Sequence, residues 1–187
     1  TSRSCLKSTY SKTKALYNRE RKYMKHTISV LVENHAGVLS RVSGLFSRRG
    51  FNIDSLAVGV TDDPEISRIT IVADGDEHTA QQLEKQLNKL IDTLKVKNLS
   101  EGEFISRELQ MIKINANASQ RSEILTICEI MGAKVVDLTS NTVTVEICDT
   151  TPTLKRFAEL VRPYGIKELV RTGVIAIEKG SDSLKTK

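Results

Sequence analysis

Apolar and polar positions alternate over residues 26–32, where Ile28, Val30 and Val32 share one face of a half-buried strand. Glu33-Asn34-His35-Ala36-Gly37 breaks the pattern, and Val38, Leu39, Val42, Leu45 and Phe46 resume it at helical spacing, with Gly50 ending the helix. Leu56, Val58 and Val60 alternate again, Thr61-Asp62-Asp63-Pro64 makes a turn, and residues 66–73 read as a third strand. Leu83, Leu87, Leu90 and Ile91 mark a second helix, with Thr79 and Gln82 at capping-box spacing. Leu94, Val96 and Leu99 suggest a fourth strand. The order is β-α-β-β-α-β, the ferredoxin-like unit.

A short polar link, residues 99–103, precedes a second run of the same grammar. Leu109, Met111 and residues 112–114 form a strand; Ile124, Ile127, Cys128 and Met131 form a helix face stopped by Gly132. Residues 135–138 and 143–147 flank a tight Ser140-Asn141 turn. Thr151-Pro152 reads as an N-cap with proline at the first helical position, ahead of a face made by Leu154, Phe157, Ala158 and Val161. Residues 166–170 and 174–177, joined at Thr172-Gly173, close the unit. The expected fold is α+β, two tandem ferredoxin-like βαββαβ domains over residues 24–99 and 104–180. Residues 1–23 and 181–187 are expected to be disordered. A sheet with both helices on one face leaves the other face bare, and units this small cover it with a partner, so a homodimer is expected.

Charge changes the picture mainly at the N-terminus. Residues 1–25 hold eight Lys and Arg against one acid, a local +7, so the remainder of this +5 chain carries −2. The folded part is close to neutral and gives no case for nucleic-acid binding. Residues 1–23 have the Ser, Thr and basic composition of an organelle transit peptide or of sequence upstream of a start at Met24. No apolar run approaches the roughly 20 residues of a membrane helix. Cys5, Cys128 and Cys148 form no CxxC or Cys/His cluster, which argues against a disulfide framework or zinc site and for a reducing compartment.

Convergent reactive groups, the mark of an enzyme, are missing. His26, His35 and His78 read as surface residues, Cys128 and Cys148 as buried structural thiols, and Asp62-Asp63 and Asp74-Gly75-Asp76 as turn formers and caps rather than cation ligands. No GxSxG, HExxH, Walker loop or GxGxxG occurs. RNA-recognition modules of this fold stack bases on aromatics of the central strands. The first unit has none there, and Phe104, Phe157 and Tyr164 of the second are not expected at central-strand positions.

One constellation is informative. Asn34-x-x-Gly37 joins the first strand to the first helix, where free N–H groups favour an anion and glycine lets a carboxylate approach the backbone. The Asn34 amide could hydrogen-bond either end of an amino acid; taken alone, Asn34 and Gly37 read first as a turn and a helix cap. Asn52 sits in an exposed corner, either as a turn residue or reaching across a dimer interface. Residues 26–73 resemble an ACT domain, an amino-acid-sensing module. More specifically, residues 24–34, Gly37-Val38-Leu39-Ser40-Arg41-Val42, Gly44-Leu45-Phe46, residues 49–56 and Thr61-Asp62-Asp63-Pro64 with Ser67-Arg68-Ile69-Thr70-Ile71 are similar to the small regulatory subunits of acetolactate synthase. Val170-Arg171-Thr172-Gly173 extends the likeness into the second unit.

The resemblance implies a non-catalytic regulatory subunit, binding no cofactor or metal itself. Its partner would be a catalytic subunit using thiamine diphosphate, Mg²⁺ and FAD in the first common step toward valine, leucine and isoleucine. It implies activation of that subunit and feedback inhibition by valine, bound between two ACT domains by Asn34, Ala36, Gly37 and Val38 of one subunit and Asn52 and Ile53 of the neighbour. It implies a bacterial cytoplasm or a plastid stroma. The alternative is a free-standing amino-acid sensor acting on another enzyme; no helix-turn-helix for direct DNA binding is visible.

Overall fold

The computed structural model describes residues 24–49 and 51–185. The basic stretch 1–23 with Cys5, and the helix-ending Gly50, lie outside the described residues. The first half runs β1 (Met24–Glu33), α1 (Val38–Arg49), β2 (Ile53–Val60), β3 (Ile66–Gly75), α2 (Glu77–Leu87) and β4 (Thr93–Asn98), then a 3₁₀ turn at Leu99–Glu101. The second runs β5 (Phe104–Asn115), α3 (Arg121–Met131), β6 (Lys134–Leu138), β7 (Thr142–Asp149) and α4 (Thr151–Val161). A 3₁₀ turn at Arg162–Tyr164, then β8 (Ile166–Arg171) and β9 (Ile175–Glu178), complete it.

Both sheets have the expected α+β topology. Strand order is β2-β3-β1-β4 in the first and β6-β7-β5-β8 in the second, with β9 also pairing to β5; the pairs given by residue register are antiparallel. Each sheet closes on its own core. In the first, Ile28, Val30 and Val32 of β1 and Ile69, Ile71 and Ala73 of β3 pack on Val42 and Phe46 of α1 and Leu83 and Leu87 of α2. In the second, Ile112 and Ile114 of β5 and Val143 and Val145 of β7 pack on Ile124 and Cys128 of α3 and Leu154 and Phe157 of α4. The alternation of each strand and the 3.6-residue spacing of each helix thus select the faces that meet.

Several local expectations are corrected. Helix α2 begins earlier than a Thr79 cap would place it, because Asp76 is the N-cap and accepts from the Thr79 N–H at 2.8 Å. It ends at Leu87, where the Asn88 side chain donates to the Glu84 carbonyl, and this leaves Ile91 87% exposed. Thr150 rather than Thr151 caps α4. Gly132, at φ 68°, ends α3 as expected, its left-handed backbone being open to glycine at little cost. His26 is buried, 5% exposed, because it points to the same face of β1 as Ile28. Cys128 is buried, and burial raises its thiol pKa; Cys148, near the end of β7, is exposed. Phe104 is the first residue of the central strand β5, half-buried at its end.

The chain divides into two compact units: described residues up to Phe104 together with those from Ile177, and Ile105–Ala176. The last residues therefore belong with the first unit and not the second. Residues 181–185, expected to be a disordered tail, form no helix or strand, yet Leu184 is 7% exposed and its carbonyl accepts from Arg68 of β3 at 3.0 Å. In the same unit, Lys97 of β4 pairs with Glu178 at 2.5 Å and donates to the second oxygen at 2.6 Å. The Lys95 ammonium donates to the Lys185 carbonyl. Through the register Arg68 with Leu31 and Lys95 with Leu31, these contacts lie on the sheet face opposite α1 and α2.

Separate cores make a stability prediction. Phe46 and Phe157 are each about fully buried, at 1% and 0% exposure. Phe157→Ala is expected to cost about 3–5 kcal/mol of the second unit's stability, and Phe46→Ala a similar amount of the first's. Urea unfolding followed by amide hydrogen exchange checks this, each substitution lowering protection mainly in its own unit.

Candidate functional site

Residues 33–37 leave β1 and enter α1, and two clamps hold them. On one side Asn34 engages the β2–β3 turn: its N–H donates to the Glu65 carbonyl at 2.7 Å, its Nδ2 donates to the Pro64 carbonyl at 2.7 Å, and its Oδ1 accepts from Ser67 Oγ at 3.0 Å. An amide side chain offers two N–H groups and two lone pairs, so half of its capacity remains for a ligand. On the other side the turn before β4 supplies Asp92. Its carbonyl accepts the Glu33 N–H at 3.0 Å, while its carboxylate takes Arg41 of α1 at 2.5 Å and lies 3.3 Å from His35 Nε2.

Between the clamps, Gly37 has φ 91° and its carbonyl accepts the Arg41 N–H, the first bond of α1. A Cβ there would meet nothing within 4 Å, so the glycine is required by backbone conformation and not by space. The N–H groups of the first helical turn have no partner within the helix, and no acidic side chain occupies that turn. Residues 33–37 and 39–41 are exposed. A small anion can therefore reach these donors.

Asn34, Ala36, Gly37 and Val38 come together as one surface, but with unequal roles. Val38 is 4% exposed as a residue and its side chain belongs to the core, so that position does not offer a ligand its isopropyl group. Asn52 and Ile53 lie elsewhere. Ile53 pairs with Ala73, opposite His26, whereas Glu33 pairs with Ile66. Seven residues of β3 separate the two registers, about 23 Å of strand. Asn52 is exposed and donates to Asp54, which in turn pairs with Lys25. Ile53 is half-buried against the core. Within one chain these two residues do not meet Asn34.

Sequence reasoning missed Glu33, His35, Arg41, Asp92 and Ser67. Glu33, Arg41 and Ser67 stood in the motif stretches and His35 in the break between strand and helix, but none carried a role there; Asp92, 51 residues beyond Arg41, reaches them only through strand pairing. Glu33, His35 and Asp92 hold one ligand-type atom each within 4.8 Å of one another. Arg41, and the imidazole when protonated, offset the two carboxylates there, which makes the group an ion-pair network. The His35 pKa is raised above the ordinary value of 6.5, first by its hydrogen bond to the Ala36 carbonyl, which desolvation opposes, and then by Asp92 and Glu33.

The fold and this loop define a class: a tandem pair of α/β units, the first an ACT domain. A family model described as the AHAS small subunit-like ACT domain matches residues 28–95, and one described as the small subunit of acetolactate synthase matches residues 107–180. The "Probable acetolactate synthase small subunit" of Archaeoglobus fulgidus is 48% identical over 84% of this chain and 99% of its own length. The acetolactate synthase small subunit of Mycolicibacterium smegmatis is 45% identical over 83% and 91%. The crystal structure of the acetolactate synthase small subunit from Thermotoga maritima superimposes with a TM-score of 0.78 at 34% identity, covering 85% of this chain and 99% of that one. The chain belongs to the acetolactate synthase small-subunit family. No helix among the described residues is long and apolar enough to cross a membrane.

The His35 network predicts a pH dependence. Folding favours the protonated imidazole, so its stabilisation is full below pH 6.5 and is lost as pH rises through the higher folded value. An NMR titration of the His35 ring should give a pKa above 6.5 that falls only part of the way back in Glu33→Gln, since the Ala36 carbonyl and Asp92 remain; an unshifted value would remove the network from the loop's electrostatics.

Proposed function

We propose that this chain is a non-catalytic regulatory subunit that binds the catalytic subunit of acetolactate synthase, raises its activity and makes it sensitive to valine. The observation that carries the reading is the exposed, doubly clamped loop with Gly37 at the head of α1, on a chain 45–48% identical to two small subunits. Valine's carboxylate would take backbone N–H groups at Ala36, Gly37 and Val38, where the loop enters α1, and Asn34 would hold its head group. Asn52 and Ile53 would come from the neighbouring subunit of a homodimer. The separation of about 23 Å along β3 supports that division, since one chain cannot supply both halves.

Regulation then follows from linkage. Valine must bind one arrangement of the dimer better than another, and a differential of about 1–3 kcal/mol suffices to bias an attached catalytic subunit. By reciprocity, the catalytic subunit changes valine affinity by the same factor. An aliphatic pocket alone discriminates side chains by only about 1–3 kcal/mol per methylene, so close relatives of valine should compete weakly.

Reconstitution with a catalytic subunit tests the reading. The chain should raise acetolactate formation and make it inhibitable by L-valine. Asn34→Ala should weaken inhibition at least about tenfold while activation persists, since it removes hydrogen bonds to a charged head group. Gly37→Asp should do the same by repelling the carboxylate, with Gly37→Ala separating that effect from strain at φ 91°. Activation without any valine response in the unsubstituted chain would leave a subunit that is not a valine sensor.

A further inference from the structure

The face of the first sheet opposite the helices holds a cavity of about 520 Å³, in the size range of small-molecule sites. Leu31 of β1 and Arg68 of β3, paired across the sheet, line it. The β2–β3 turn, from Val60 to Ile66, forms one wall and residues 183–185 another. All of these belong to the first unit.

Among the residues that line the cavity, Arg68 is the one left with a buried, unpartnered donor. It is half-buried, and among the described residues it has no ion pair. Its guanidinium donates to the Leu184 carbonyl at 3.0 Å, but its Nε is buried without a hydrogen-bond partner. Buried donors are almost always satisfied, and an unpaired one on a cation is costly. Arginine is also the side chain best shaped to take a carboxylate. Around it the apolar part of the lining is aliphatic, from Leu31, Val60, Ile66 and Leu184, and the exposed Asp62, Asp63 and Lys185 add charges of both signs. One oxygen of Asp63 is occupied by the Glu65 N–H.

We propose that this cavity binds an aliphatic α-amino acid as a second site, with the carboxylate on Arg68, the side chain against Leu31, Val60, Ile66 and Leu184, and the ammonium toward Asp62. With Arg68 and Lys185 against Asp62 and Asp63 the lining carries no net charge, which matches a zwitterion better than a dianion such as phosphate. Residues 183–185 supply one wall, so a bound ligand fastens the C-terminal segment to the sheet. The site uses different residues from the Asn34–Gly37 loop, and the turn that Asn34 clamps joins the two.

The test is an NMR titration of the full chain with L-leucine, with 4-methyl-2-oxopentanoate and inorganic phosphate as comparators. Amides of residues 61–63 and 183–185 report this site; those of 36–40 report the loop. Saturable shifts in the first set are expected, weaker with the oxo acid, which lacks the ammonium, and absent with phosphate. Arg68→Gln should reduce that affinity about tenfold or more by removing the charged donors, and leave the responses at 36–40 in place. A chain ending at Gly180 should lose the response without touching Arg68, and it carries the test if Arg68→Gln does not fold. Silence at 61–63 and 183–185, or shifts that survive both changes, overturns the proposal. Oxo-acid binding as tight as leucine overturns the amino-acid assignment. Loss confined to residues 36–40, in Asn34→Ala, bears on the valine reading alone.

Discussion

The pairing of β1 with β3 and β4 is the constraint on which the rest of the first unit depends. That central strand buries Ile28, Val30 and Val32 against the helices, and its end delivers Glu33 between two turns that would otherwise be unrelated. The β2–β3 turn reaches Asn34 and the turn before β4 brings Asp92 to Arg41 and His35. An exposed loop with few apolar contacts would ordinarily be mobile. Here hydrogen bonds from both neighbouring turns pin it, so donors at the head of α1 are held in place before any ligand arrives.

The second unit repeats the architecture with a different economy of charge. Its core is as complete, and Gln110 of β5, fully buried, is met by Arg171 of β8 at 2.8 Å. Its first helix, α3, begins after Gln120 without a side-chain cap, whereas in the first unit the corresponding junction carries the Gly37 turn and the ion-pair network. The two domains thus share a fold while only one has the loop geometry suited to an anionic head group, in keeping with function residing in the site and not in the fold.

The sheet face away from the helices is where composition misleads. Polar residues such as Ser29 and Thr70 occupy it, yet they are 1% and 2% exposed, and Leu31 and Val72 beside them are buried too. Chain from the far end of the sequence contributes to that face, through Glu178 on Lys97 and Leu184 on Arg68. Loop closure over such a length costs little more than over a shorter one, so a few specific contacts suffice to hold it.

The elements were legible in the sequence because strand and helix periodicities are local and each core face is written in them: Ile28, Val30 and Val32, or Leu154, Phe157 and Val161, need no tertiary information to be recognised. Asn34 and Gly37 were legible for the same reason, as a short break at a strand–helix junction. What lay beyond local pattern was decided by the tertiary structure. His26 is buried although the sequence places it at a strand's start, Val38 turns its side chain into the core, and Asn52 ends up a sheet's length from Asn34. The Glu33–His35–Arg41–Asp92 network and the anchoring of Leu184 join residues dozens of positions apart, and side-chain hydrogen bonds of that kind depend on strand register and chain return, which no single-segment pattern encodes.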